Sequence, residues 1–442
     1  MAMNETAHSY LDDFDTGKTT SKKVVARCLE RISERNPSLH ALSEVLAEAA
    51  LAQADDIDRR KSAGQKTGRL AGLPVIIKDL VDVEGAHCKA GLDFLKDYIA
   101  EQDAELVRRL RAEDAVILGM SETDSGAFLV RTPQTTHPVA PDHVVGGSSG
   151  GSGAAMAAGF GLAAIGTDTG GSIRIPAACC SVVGFKPTYG RVPLDGVRPL
   201  AWSLDHAGPL VNSAADIAPV QAVLDPQFDN TGSAKSGPFT LGYDPDYYAD
   251  AVPEVRQAFE SALKLAESLG HEIRKVSLPS PESVLAFHMI NLTAEAGAYH
   301  FEKFPDQWDN YPEGVRQALE IAKREPAYRY VQAERARQGA REQVAKAFEE
   351  VDFLMTPTLP ILPPKKTDEM AETAKGPVPV LQAHISYTCL FDQTGHPALS
   401  LPVYLNEQGL GASLQIAGPL DRDKAVVDLA VALEEARGPL QG

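Results

Sequence analysis

The chain has 442 residues, 44% of them hydrophobic and 23% charged, the proportions of an ordinary globular protein and not of a disordered or fibrous one. Sixty acidic against forty-two basic residues give a formal charge of −18, which repels phosphate backbones and argues against nucleic acid as a ligand. The five cysteines (Cys28, Cys88, Cys179, Cys180 and Cys389) are odd in number and form no CxxC, so they suggest neither a disulfide framework nor a zinc ribbon.

Reduced thiols fit a cytoplasmic protein. Residues Met1 to Glu5 lack the charged and apolar regions of a signal peptide. The longest run of small apolar residues, Ala154 to Gly166, is shorter than the ~20 needed to cross a bilayer. The expectation is a cytosolic protein that engages neither membrane nor nucleic acid, with a homodimer as the default assembly.

In chain order, Thr19-Thr20-Ser21 caps an amphipathic helix carrying Val24, Val25, Cys28, Leu29 and Ile32, with Pro37 just beyond it. A second helix is expected over Leu42 to Arg60. Leu73-Pro74-Val75-Ile76-Ile77 is short, apolar and β-branched, hence a buried strand. Asp103 caps a helix with Leu106, Val107 and Leu110, followed by the strand Ala115 to Leu118. This strand–helix–strand spacing predicts a largely parallel or mixed sheet.

Between Gly146 and Gly190 the chain is dense in glycine, small residues and hydroxyls. A Gly/Ser loop (Gly146 to Gly153), an Ala-rich helix (Ala154 to Gly159), a strand (Leu162 to Ile165) and a second glycine turn (Gly166 to Ser172) follow one another. Small residues there let backbones approach each other or a ligand, and the core-forming Val182, Val183 and Phe185 argue against a linker.

Beyond Asp216 come a strand at Leu241 to Tyr243, a helix with Val255, Phe259 and Leu263 closed by Gly270, and a strand at Ile273 to Val276. Residues 281–350 are helical and charge-rich, without recognisable chemistry. Strands at Phe353 to Pro357, Ala398 to Val403 and Ala412 to Ile416 precede a last helix over Asp421 to Ala436, capped by Asp421. No internal repeat or boundary breaks the chain, so one α/β domain is expected.

Three stretches can carry chemistry. In Gly72-Leu73-Pro74-Val75-Ile76-Ile77-Lys78-Asp79, Lys78 ends an apolar strand, where α/β sheets place their ligands. Apolar surroundings would strip its proton and make it a general base, although a surface lysine after a strand has the same sequence. In Gly166-Thr167-Asp168-Thr169-Gly170-Gly171-Ser172-Ile173-Arg174, successive amides can point into one concavity and form an oxyanion hole beside the Ser172 hydroxyl. A turn serine capping a helix at Ile173 is the equal alternative. In Gly146-Gly147-Ser148-Ser149-Gly150-Gly151-Ser152, Ser148 lies 24 residues before Ser172 (172 − 148) and could relay a proton between Ser172 and Lys78. Spacing alone does not separate it from a loop serine.

These motifs, GLPVIIKD, GGSSGGSGAAMAAG, GTDTGGSIRIPAA and VVGFKPTYGRV, resemble those of the amidase signature family in order and interval. DHAGPL, VDFLMTPTLP and TGHPALSLPV are similar to further family segments. The likeness is concentrated between Gly72 and Leu210. It implies a single large α/β domain over 1–442, with a mixed, twisted central sheet flanked by helices on both sides. The signature core falls at about 72–210 and a variable helical segment at about 281–350. By resemblance, Lys78 is the general base, Ser148 the relaying serine after a cis Gly147–Ser148 bond, and Ser172 the acyl-forming nucleophile. The oxyanion hole falls to the amides of Thr169, Gly170, Gly171 and Ser172, with Gly147, Ser149, Asp168 and Arg174 in support. The implied reaction is hydrolysis of a linear amide, carbamate or urea-type substrate by water, without cofactor or metal.

The sequence departs from the family pattern at Cys179, where an aromatic is usual, at Gly85 to Gly91 and at Glu122 to Phe128, so substrate specificity does not carry over. Two other enzyme readings stand beside this one. Gly146-Gly147-Ser148-Ser149-Gly150 fits the G-x-S-x-G pattern of serine esterases, with His206, His384 or His396 as the base, but Pro141-Asp142-His143 stands where a strand is required. An amidase-like subunit of a tRNA-dependent amidotransferase would keep the same triad and need partner chains. No HExxH metal motif occurs, and neither glycine loop ends in Gly-Lys-Ser/Thr.

Overall fold

The computed structural model describes residues 6–232 and 237–440; the Met1–Glu5 segment read for a signal sequence lies outside them. The strands are β1 (Leu42–Val45), β2 (Pro74–Lys78), β3 (Val116–Ser121), β4 (Ala163–Asp168), β5 (Val183–Lys186), β6 (His206–Val211), β7 (Thr240–Tyr243), β8 (Glu272–Lys275), β9 (Phe353–Pro357), β10 (Met370–Thr373), β11 (Gly376–Pro379), β12 (Ala398–Leu405) and β13 (Gly411–Ala417). Eleven of them form one sheet in the order β1-β3-β2-β4-β6-β5-β12-β13-β9-β7-β8, and β10 and β11 make a separate hairpin. The sheet is mixed. β2 runs parallel to β3 and β4, β7 runs parallel to β8 and β9, and the remaining pairs are antiparallel. The chain is a single α/β domain.

Every residue of β2, β3 and β4 is buried. Their near-continuous apolar sequences suit strands covered on both faces. Register places Lys78 opposite Ser121 and Ile77 opposite Ile165, so the carboxyl ends of three parallel strands open at one edge of the sheet. Lys78 and the 166–172 turn meet at that edge.

A second apolar cluster lies off the sheet. Leu80, Phe128 and Leu204 pack there against Leu292, Val315 and Leu319 of the helices Pro281–Lys303 and Glu313–Arg324. The charge-rich helical segment is thereby seated against loops that border the sheet edge.

Several local expectations are corrected. The helix capped at Thr20 (Ser21–Leu39) runs through Pro37 and ends at His40, whose φ of 49° turns the chain; a helix not foreseen, Ala7–Asp15, precedes it. Leu42–Val45 is a strand and the helix begins at Ala47, because pairing with β3 overrides local propensity. The Asn36 side chain fixes that corner by accepting from the amides of Ala41 and Leu42. Asp103 does not cap the helix Glu105–Ala112; it accepts from the Glu84 amide and pairs with Arg111. The Ala-rich helix begins earlier than expected, at Gly150, so half of the Gly/Ser loop is its first turn. Asp421, at φ 59°, lies outside the last helix (Asp423–Arg437) and pairs with Arg191 instead.

Candidate active site

Lys78 ends β2 with its side chain fully buried. Its Nζ lies 2.8 Å from Ser148 Oγ and 2.8 Å from Thr167 Oγ1. Burial pushes the amine down to about 7, against the pull of Asp124, Asp168 and Asp205 towards the charged form. Two of those acids are themselves driven towards neutrality by burial, Asp124 up to about 6 and Asp205 up to about 7. Desolvation of the lysine outweighs the support that these acids give to its charge.

Ser148 follows a cis Gly147–Ser148 peptide bond. Its carbonyl accepts from the Asp124 amide at 3.3 Å and from Thr132 Oγ1 at 3.2 Å. The Asp124 carboxylate in turn receives the amides of Arg131 and Thr132. It packs so close beneath Gly147 that a Cβ there would stand 2.2 Å from Oδ2. Only glycine fits at position 147.

Ser149 ties the two glycine stretches together. Its hydroxyl donates to the Thr167 carbonyl and accepts from the Thr167 amide, and its own amide donates to the Ser172 carbonyl at 3.2 Å. Ser172 is thus fixed beside the residue that follows Ser148. It is 6% exposed, and among the described residues its hydroxyl has no hydrogen-bond partner.

The turn before Ser172 is organised by Asp168. Its carboxylate accepts from the amides of Gly171 (2.7 Å), Ile173 (3.0 Å) and Arg174 (3.3 Å), and from Arg174 Nε and Nη2. Arg174, also fully buried, further bonds the Thr388 carbonyl, Gln415 and Asp392. Burial opposes charge on Asp168, but the guanidinium beside it prevails and holds the carboxyl well below its usual range. Asp392, sharing the same cation with fewer donors, is pushed well above its usual range by burial and by Asp168. The shared cation and burial thus push the two carboxyls in opposite directions.

Gly171, at φ 131°, completes the turn, and a Cβ there would stand 2.2 Å from Thr388 Oγ1. Thr388 Oγ1 donates to the Gly170 carbonyl at 2.5 Å, and Thr169 Oγ1 donates to Asp205 at 2.6 Å. The sequence placed four amides in a possible oxyanion hole. Gly171 directs its N–H to Asp168, whereas the amides of Thr169, Gly170 and Ser172 have no acceptor among the described residues.

The structure therefore brings Lys78, Ser148, Ser149 and the 167–174 turn together. It also adds residues that the sequence reading missed: Thr167 on the lysine amine, Asp124 and Thr132 under the serine loop, and Asp205 and Thr388 behind the turn. Thr167 lay inside a motif already singled out, Asp124 in the divergent stretch Glu122 to Phe128 and Asp205 at the start of DHAGPL; Thr132 and Thr388 carried no local signal.

The esterase reading lacks its geometry. No strand leads into Gly146. His206 contacts Lys186 and the Asp168 carbonyl, His384 contacts the Val130 carbonyl, and His396 stacks on Phe348. Cys179 lies buried under Gly146, where a Cβ would approach its Sγ to 3.0 Å. Among the described residues, no group of three or more His, Cys, Asp or Glu could hold a metal ion. No helix there is long and apolar enough to cross a membrane.

A wound α/β sheet with two glycine turns and a buried lysine at the ends of its parallel strands defines one class, and the chain falls within it: residues 23–427 match the Amidase family, to which this protein belongs. An amidase of Pseudomonas putida is 34% identical, covering 95% of this chain and 93% of that protein. A glutamyl-tRNA(Gln) amidotransferase subunit from Clostridium acetobutylicum is 32% identical, covering 94% of this chain and 96% of that protein. Among solved structures, the native peptide amidase of Stenotrophomonas maltophilia superposes with a TM-score of 0.83 at 25% identity, covering 98% of this chain and 96% of that one.

Proposed function

We propose that this chain hydrolyses linear carbon–nitrogen bonds of the amide type through a Ser172 acyl-enzyme, with Lys78 as general base and Ser148 as proton relay. The observation that supports this most is the buried Lys78 amine, held at about 7 and 2.8 Å from the Ser148 hydroxyl. An amine in that range is substantially neutral near pH 7, and its lone pair can take a proton.

In the first half-reaction Ser148 passes its proton to Lys78 Nζ and takes that of Ser172. The Ser172 oxygen bonds to the substrate carbonyl carbon, and the carbonyl electron pair moves onto its oxygen. The free amides of Thr169, Gly170 and Ser172 are the donors for that oxyanion; Gly171, already turned to Asp168, is left out of the set. Loss of one such donor costs about 2.7–4 kcal/mol in barrier. Collapse re-forms the carbonyl, breaks the C–N bond and returns the proton to the leaving amine or ammonia. Water then repeats the sequence on the acyl-enzyme and frees Ser172.

Trapping tests this reading directly. Quenching the enzyme during turnover of a slow aryl amide should leave an acyl mass on the peptide containing Ser172. Ser172→Ala should give neither adduct nor turnover while keeping its circular dichroism. Full turnover by Ser172→Ala contradicts the reading.

The Clostridium relative supports a second reading, an amidase-like subunit of a tRNA-dependent amidotransferase with partner chains. The −18 charge weighs against a tRNA ligand. Five buried free thiols accord with a reducing cytoplasm.

A further inference from the structure

His288 belongs to the helix Pro281–Lys303 and is fully buried. Its Nδ1 lies 3.1 Å from Gln393 Nε2. Asn291 Nδ2 donates to Gln393 Oε1, so the oxygen of that amide faces Asn291 and its nitrogen faces the imidazole. Nδ1 is thereby the acceptor, and in a neutral ring the proton sits on Nε2. Burial, reinforced by Arg337, lowers the imidazole to about 3, so it is neutral at any ordinary pH.

Nε2 is a buried donor without a partner among the described residues. It also packs against the side of Gly170 that a side chain would occupy: a Cβ there would stand 2.7 Å from it. Gly170 carries one of the three amides assigned to the oxyanion. An unmet donor beside the reacting turn is where a substrate group gains most, because buried polar groups are rarely left unpaired in a completed site.

We infer that His288 is a substrate-positioning residue whose Nε2–H meets an uncharged hydrogen-bond acceptor in the acyl part of the substrate. This rests on the acyl-transfer reading above. The class of substrate is an amide whose acyl chain bears a hydroxyl, an ether oxygen or a second carboxamide close to the scissile carbonyl.

The acceptor is uncharged because the two cations whose charge reaches His288, Arg337 and Arg174, are already engaged. Ile385 and Thr388 share that side of the turn with His288. Arg174 is saturated by Asp168, Asp392, Gln415 and the Thr388 carbonyl. Arg337 is held by Ser203, the Gln393 carbonyl and Glu334. Zwitterionic glutamine therefore fits this wall poorly.

The test compares matched pairs of amides, a plain alkanamide against the same chain bearing an acceptor, with glutamine as a third substrate. Wild type, His288→Phe and His288→Gln are assayed, and thermal melts establish that each variant is folded. The wild type should prefer the acceptor-bearing member. His288→Phe keeps a ring without the donor and should lower that preference about ten- to a hundredfold, mainly through KM, the range expected for one buried hydrogen bond. His288→Gln, which retains a donor, should restore part of it. An equal loss on both members of each pair would mean a purely structural role and would overturn the inference, as would an unchanged preference.

Calorimetric binding of the same pairs to Ser172→Ala, with and without His288→Phe, separates the two levels. His288-dependent binding in a wild-type protein that hydrolyses none of the amides overturns the hydrolase reading and upholds this one. Turnover without His288-dependent preference does the reverse.

Discussion

Among the described residues Lys78 has no carboxylate within bonding distance; its amine touches two hydroxyls, those of Ser148 and Thr167. Hydroxyls accept from an ammonium and donate to an amine, so this shell tolerates both protonation states, whereas an ion pair would hold the proton. Thr167→Val should remove one of the two oxygens without opening the core. Net hydrogen-bond energies of about 0.5–1.5 kcal/mol put the expected loss in kcat/KM at about two- to tenfold, with the melting temperature nearly kept. Steady-state kinetics beside a thermal melt would check both. A loss above a thousandfold would make Thr167 a member of the relay itself.

At the scale of elements, the turn Asp168–Arg174 is a backbone loop built around one ion pair sealed from water. Arg174→Met would leave Asp168 buried without its cation. Breaking such a pair typically costs about 3–5 kcal/mol, readable as a shift in urea midpoint at unchanged slope. Gly171→Ala meets both a φ of 131° and the Thr388 hydroxyl, and should lose activity even where it folds. Assay of the soluble fraction would show it.

The parts of this site that were legible in sequence are those in which a motif is contiguous. Lys78 at the end of an apolar strand, and the serines in their glycine turns, could be named because strand burial and turn chemistry are local. Asp124, Thr388 and His288 were hidden because each reaches the site through tertiary packing, from 24, 216 and 116 residues away from Ser148 or Ser172 (148 − 124, 388 − 172, 288 − 172). The same physics explains Leu42–Val45. Its composition suits a helix, and only its pairing with β3 makes it a strand. Gly171 shows the limit of reading a nest from glycines, since its amide direction is set by Asp168 and not by the motif.

For the whole molecule, the mixed sheet does two things for the site. It carries Lys78 on β2 and Thr167 on adjacent β4 to one edge, fixed by register, and it buries the amine deeply enough to depress its proton affinity. If the molecule works alone, the isolated chain should release ammonia or amine from simple amides. If it works only within an assembly, release should require added partner chains.

The measurement that bears most directly on a neutral lysine base is the pH profile of kcat/KM for the isolated chain on a neutral amide. Only the unprotonated amine is competent, so the rate should rise with pH through a single ionisation near 7 and fall about tenfold per unit well below it. Lys78→Ala should lose both the rate and this limb. A profile flat from pH 5 to 9, or undiminished turnover by Lys78→Ala, would contradict the account.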